Sequence, residues 1–222
     1  MTLEGKFVRD GQNINGQNIV VLNYMKNKPL QSTSGFASLI KQVQVCRLCE
    51  ANLPDGVKPI IQASTEARIL IAGQAPGVVA NQSGIAFDDL SGDRLRQWLG
   101  VSKQQFYDSN LFAILPMAFC YPGKGKSGDL APPKACAKQW RAQLLNHLPN
   151  IQLTLAIGQY AQHYHCMDNR SLTERVRHWK DYGDRLIPLP HPSPRNNIWL
   201  KRHDWFEQQL LPELQHRIES IL

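Results

Sequence analysis

Ile69-Leu70-Ile71-Ala72-Gly73-Gln74-Ala75-Pro76-Gly77 is an apolar, β-branched run that stops abruptly in a turn. Residues 67–72 have the length and composition of a buried strand. Gly73 ends it, and Pro76-Gly77 marks a turn four residues on. A buried strand running into such a loop is where α/β proteins set a ligand against backbone N–H groups. The spacing is not that of a dinucleotide site, which needs three glycines and a helix start, and Pro76 removes one donor. Alone, Gly-x-x-Pro-Gly reads first as a plain tight turn. A second stretch changes its weight. Leu189-Pro190-His191-Pro192-Ser193-Pro194-Arg195-Asn196 also follows a short apolar strand.

The rest of the chain alternates. Ser34 is placed to cap a helix with Phe36, Leu39, Ile40 and Val43 on one face, running into Cys46-Arg47-Leu48-Cys49. Ser91 starts a helix carrying Leu95, Trp98 and Leu99, stopped by Gly100. Strand two is 111–115, ended by Pro116. A Gly/Pro loop, 121–133, leads to a helix over about 134–147. Strand three is 153–157, followed by a helix to about 166. Ser171-Leu172-Thr173-Glu174 has capping-box spacing. Strand four is 185–189, and one last helix is expected over about 200–219. This pattern predicts an α/β fold, a parallel sheet covered on both faces. Residues 1–33, rich in Asn, Gln and Gly, read as an N-terminal extension with one added strand at Ile19–Leu22; the domain proper is 34–222. In a parallel sheet the strand ends share one edge. Gly73–Gly77, Pro116–Cys120, Gly158–Tyr160 and His191–Asn196 are therefore expected to form one site.

The chain has 222 residues, is 42% hydrophobic and carries a formal net charge of +7. Its apolar runs are strand-length, far short of the ~20 residues that span a bilayer. The start lacks the basic-then-apolar pattern of a signal peptide, so a cytoplasmic protein is expected. The positive balance favours a polyanionic partner, nucleic acid first. Cys46-x2-Cys49 alone reads as redox, zinc or chance. Cys166 reads as a small core residue.

The pair GQAPG (73–77) and HPSPRN (191–196) closely resembles the uracil-DNA glycosylase superfamily, over about residues 36–215. The second motif is most similar to the single-strand-selective monofunctional enzymes, and the cysteine layout to the thermostable iron–sulfur enzymes. The resemblance implies a three-layer sandwich around a four-stranded parallel sheet. It implies hydrolysis of the N-glycosidic bond of a base flipped out of DNA, a base excision repair reaction by a monomer associated with the nucleoid. DNA, single- or double-stranded, is the implied partner. His191 matches the histidine that donates to the departing base, and Phe87 the aromatic that stacks on it. Gly73 and Ala75 line the base; Gly77, Ser193, Arg195 and Asn196 meet the DNA, where Asn197, Trp199, Lys201 and Arg202 extend the probing loop. Cys46, Cys49, Cys120 and Cys136 match four thiolates holding a [4Fe–4S] cluster, with a structural zinc as the alternative.

The sequence departs from the family pattern at three positions. Ala75 replaces a water-handling Asp or Asn. Gln74 stands where the iron–sulfur enzymes have Glu. Leu115-Pro116-Met117-Ala118 offers no amide to read a uracil edge. Asp88, with Asp89 beside it, is the nearest carboxylate in sequence to Phe87, so His191, Gln74 and Asp88 form the expected catalytic set. The alternatives are a damaged-DNA-binding module on the same fold without hydrolysis, and a metal-clipped enzyme of free nucleotides. A working site requires His191 and Phe87 to face one pocket beside Gly73–Gly77.

Overall fold

The structure is a computed structural model and describes residues 33–126 and 128–222. Nearly all of the expected N-terminal extension, with its Ile19–Leu22 strand, lies outside the described residues.

Four parallel strands form the centre: β1 (Ile69–Ala72), β2 (Phe112–Ile114), β3 (Leu153–Ile157) and β4 (Leu186–Leu189), in the order β2-β1-β3-β4. Ile69 pairs with Phe112 on one side and Leu153 on the other. All four residues of β1 are buried, as a central strand covered on both faces requires. Side chains alternate between the faces, so one strand feeds two cores. Ile69 and Ile71 pack with Leu95, Trp98, Phe106, Phe206 and Leu210. Leu70 packs with Phe36, Val43, Trp140 and Leu144. Each such fully buried aliphatic side chain contributes roughly 1.5–3 kcal/mol.

The helices that cover the first face include α3 (Leu90–Leu99), α4 (Lys103–Tyr107) and α9 (Leu211–Ile221). Those on the second are α1 (Thr33–Gln44) and α5 (Lys134–Asn146). α2 (Val78–Ser83) follows the first motif, α6 (Gly158–Cys166) and α7 (Leu172–Arg177) lie between β3 and β4, and α8 (Asn197–Arg202) follows the second motif. The Ser171–Glu174 capping box is formed in both directions. α3 begins just before its expected start: Asp89, not Ser91, leads into it as the cap, accepting from the Gly92 N–H at 2.8 Å. The expected final helix is interrupted. α8 ends at Arg202, and His203 bonds through Nδ1 to the Trp199 carbonyl while stacking on the Trp199 ring. The chain then winds through a π-helical turn, Phe206–Leu210, into α9.

The strand order reverses between β1 and β3, and beyond the carboxyl ends of such a pair, here beside Gly73, is where parallel sheets open a ligand crevice.

Candidate active site

Gly73 and Gln74 are anchored by their carbonyls, which accept from Met117 N–H (2.9 Å) and Ala118 N–H (3.1 Å) of the loop after β2. That loop is itself held from behind. Arg141 of α5, fully buried, donates to the carbonyls of Leu115 (2.9 Å) and Pro116 (3.3 Å), and its other guanidinium nitrogen meets His165 Nε2 at 2.6 Å. Burial pulls the Arg141 guanidinium down to about 10.

Phe87 lies directly over Gly73: a Cβ there would stand 3.4 Å from Phe87 Cζ. The Phe87 backbone has φ +56°, unusual for a non-glycine residue. Its carbonyl explains how this is maintained. Arg96 donates to it at 3.3 Å, and the Tyr107 hydroxyl donates at 3.2 Å. Gly92 packs so closely that any side chain would collide with it. The ring meets Phe106 edge-on at 6.2 Å.

His191 hangs from the end of β4, at the same edge of the sheet. The buried Gln162 of α6 donates to the Leu189 carbonyl at 2.9 Å and fixes that strand end. The Ser193 backbone N–H donates to His191 Nδ1 at 3.2 Å, so in the neutral ring the proton sits on Nε2. Asn196 donates to the His191 carbonyl at 2.7 Å. Arg94 of α3 donates to the Ser193 carbonyl at 3.1 Å, tying the histidine loop to the helix that follows Phe87. Burial holds the imidazole below its ordinary value of 6.5; the carboxylates of Asp89 and Asp129 pull it upward without prevailing. His191 is therefore neutral at pH 7, a ring with one free donor.

Gln74 donates to the Leu130 carbonyl at 3.3 Å, bracing the 121–133 loop. Ala75 packs against the core layer containing Cys136 and Trp140. Asp88 faces Lys103 of α4 at 3.6 Å, and the carboxylates whose fields reach His191 are Asp89 and Asp129. The Ser193 hydroxyl accepts from Arg195 N–H, closing a 3₁₀ turn over Pro194–Asn196. Arg195 is exposed, with Nη1 beside Gly128 of the 121–133 loop.

Sequence reasoning missed Asp129, Arg141, Gln162, Arg94 and Arg96. Arg141 had a readable signal: it sits three residues before Leu144, on the buried stripe of its helix. The others act on segments outside their own element: Arg96 on Phe87, Arg94 on Ser193, Gln162 on Leu189 and Asp129 on the first motif.

The sequence matches the Uracil DNA glycosylase superfamily over residues 61–215. The chain belongs to that superfamily. The matched span runs from the approach to β1 into α9, and so contains both motif loops, Phe87 and all four strands. Membership points to glycosylase-type chemistry. Among the described residues no helix is long and apolar enough to cross a membrane.

Cys46, Cys49, Cys120 and Cys136 line one small cavity with Val43, Leu53 and Trp140, on the face of the sheet covered by α1 and α5. Trp140 Nε1 donates to Cys46 Sγ at 3.3 Å. Burial pushes the Cys136 thiol up to about 12 and raises Cys49 and Cys120, and the neighbouring thiols raise them further. Among the described residues no three His, Cys, Asp or Glu side chains are grouped to hold a single metal ion. Cys166 is buried outside this group, at the end of α6.

Proposed function

We propose that this protein is a DNA glycosylase that hydrolyses the N-glycosidic bond of uracil or another deaminated base flipped out of DNA. The observation that carries the reading is the hydrogen bond from Ser193 N–H to His191 Nδ1, which leaves the ring proton to Nε2. A neutral imidazole, held through Nδ1 by Ser193 N–H, keeps Nε2–H as its donor at the strand edge that also carries Gly73. Glycosidic cleavage leaves negative charge on the base, and a fixed donor in a water-poor site stabilises that charge as it develops. Phe87 offers the stacking face, and the Gly73–Gly77 backbone lets the base approach closely. Flipping costs a few kcal/mol of unstacking, and stacking on an aromatic returns ~1–3 kcal/mol.

Oligonucleotides carrying uracil, hypoxanthine or xanthine, scored for abasic sites, test this directly. Excision of at least one supports it. The second reading is a damaged-DNA-binding module. It is favoured by one observation: neither Gln74, engaged with Leu130, nor Ala75, packed in the core layer, supplies a carboxylate. Tight binding of damaged DNA with every substrate intact would select it.

Binding should be electrostatic in the main, since each phosphate neutralised releases counterions. Arg195→Ala is expected to weaken binding to intact and damaged DNA alike and to reduce the salt slope by about 1. A titration showing affinity independent of salt would contradict this.

The four cysteines line one cavity, and four thiolates there would hold a [4Fe–4S] cluster, with a structural zinc as the alternative. The Trp140 donor to Cys46 Sγ is the kind of bond that tempers charge on such a cluster. The cluster would clip α1 to α5 and the loop after β2, a structural duty. Because the thiols of Cys49, Cys120 and Cys136 are protonated at pH 7, loading must release protons, and its free energy is folding free energy. Cys49→Ser is expected to remove a brown, broad visible absorption and lower Tm, by ~2–4 °C per kcal/mol lost. A colourless, iron-free wild type whose Tm matches the variant's would end this proposal.

A further inference from the structure

Hydrolysis needs a group to direct water at the sugar, and the residues at the usual positions do not supply one. Gln74 and Ala75 are not acids. Asp88 pairs with Lys103, and Asp89 caps α3 through Gly92 N–H. Asp129 remains.

Asp129 sits on a hairpin within the 121–133 loop. Leu130 N–H donates to the Gly123 carbonyl at 2.8 Å, Gly125 N–H to the Gly128 carbonyl at 2.6 Å, and Lys124 and Asp129 form an antiparallel bridge. The hairpin leans on both motif loops. Its Leu130 carbonyl accepts from Gln74, and Gly128 lies so close to Arg195 that a Cβ there would stand 3.2 Å from Nη1. Asp129 Oδ2 stands 3.6 Å from where a Cβ on Gly77 would be, directly against the first motif. Among the described residues its carboxylate forms no ion pair. An unpaired carboxylate on a surface that must meet phosphates costs affinity by like-charge repulsion. Its position between the two motif loops, despite that cost, is what a reacting group would require.

We propose that Asp129 orients and deprotonates the attacking water, an inference that rests on the glycosylase reading. The water oxygen forms the new bond to the sugar C1′. The C1′–N bond breaks and its electron pair moves onto the base, where His191 Nε2–H meets the charged oxygen. The water proton passes to Asp129 and then to the departing base or to solvent. The products are the free base and an abasic sugar with a hydroxyl at C1′.

The test is Asp129→Asn, with single-turnover excision and DNA affinity measured on the same preparation. General-base groups contribute about 10²–10⁴-fold, so turnover should fall ~100-fold or more. Affinity for the same damaged oligonucleotide should hold or increase, because one negative charge leaves the DNA-facing surface. Asp129→Glu should recover part of the rate. A variant that loses rate, affinity and Tm together would make Asp129 structural and overturn the proposal. An Asn variant at near wild-type rate would overturn it while leaving the glycosylase reading intact. Wild-type protein that excises no base would bring down both.

Discussion

His191→Ala should lower the rate of base excision about 100- to 1000-fold, the ~2.7–4 kcal/mol typical of a fixed transition-state donor. The loss should appear in turnover and scarcely in DNA affinity, since in the proposed reaction the half-buried ring acts on the base and the exposed cations on the phosphates. The pH profile gives an independent check. A second proton would have to go on Nδ1, which already accepts from Ser193 N–H, and burial opposes it. The rate should therefore stay level as pH falls through 6.5, the ring's ordinary value, and drop only at lower pH. Stability follows the same sign. The folded-state value is depressed, so the unfolded chain takes the proton first and stability is lost as pH falls below 6.5. A rate that climbs as pH falls through that value would mean the imidazolium is the active form.

Gly92→Ala should be the most damaging single methyl in the site. The added carbon would lie 1.7 Å from the Phe87 carbonyl oxygen and 2.6 Å from its carbon, and both belong to the backbone. Neither can rotate away. Phe87 is already held at φ +56° by Arg96 and Tyr107, so the strain must shift its peptide and with it the ring over Gly73. Overpacking of this sort costs about 1–3 kcal/mol or more, and Tm should fall accordingly. Capture of the flipped base should weaken as in Phe87→Ala, by roughly the ~1–3 kcal/mol of one stacking contact. Thermal melts and a fluorescent base analogue would measure both; unchanged values in the pair would show that Phe87 does not depend on Gly92.

The strands were legible because each is a short apolar run closed by Gly or Pro, and with them the common edge of the two motif loops. Two short helices were not. α2, Val-Val-Ala-Asn-Gln-Ser, exposes both valines and has no apolar stripe to detect. α4 lasts five residues, though its Ser102–Gln105 capping box was there to be read. One position separates Asp88 from Asp89, and the helix start decides between them: the residue at the cap turns inward to Gly92 N–H, while its neighbour turns to Lys103. Asp129 lies more than fifty residues from the first motif, and no local spacing announces that its hairpin will rest on Gly77. Arg141 was legible only as a buried position on its helix; its partners are backbone carbonyls, which no residue type announces.

The loop that carries the Asp129 hairpin lies between Cys120 and Cys136, two residues that line one cavity. A segment whose ends are already brought together has paid its closure entropy in advance. Fifteen residues lie between those cysteines, and ordering them over the crevice is a local affair rather than a search by a free loop. The cysteine cavity, lined by neither His191 nor Phe87, thus bears on the crevice only through the two ends of the segment that forms its wall.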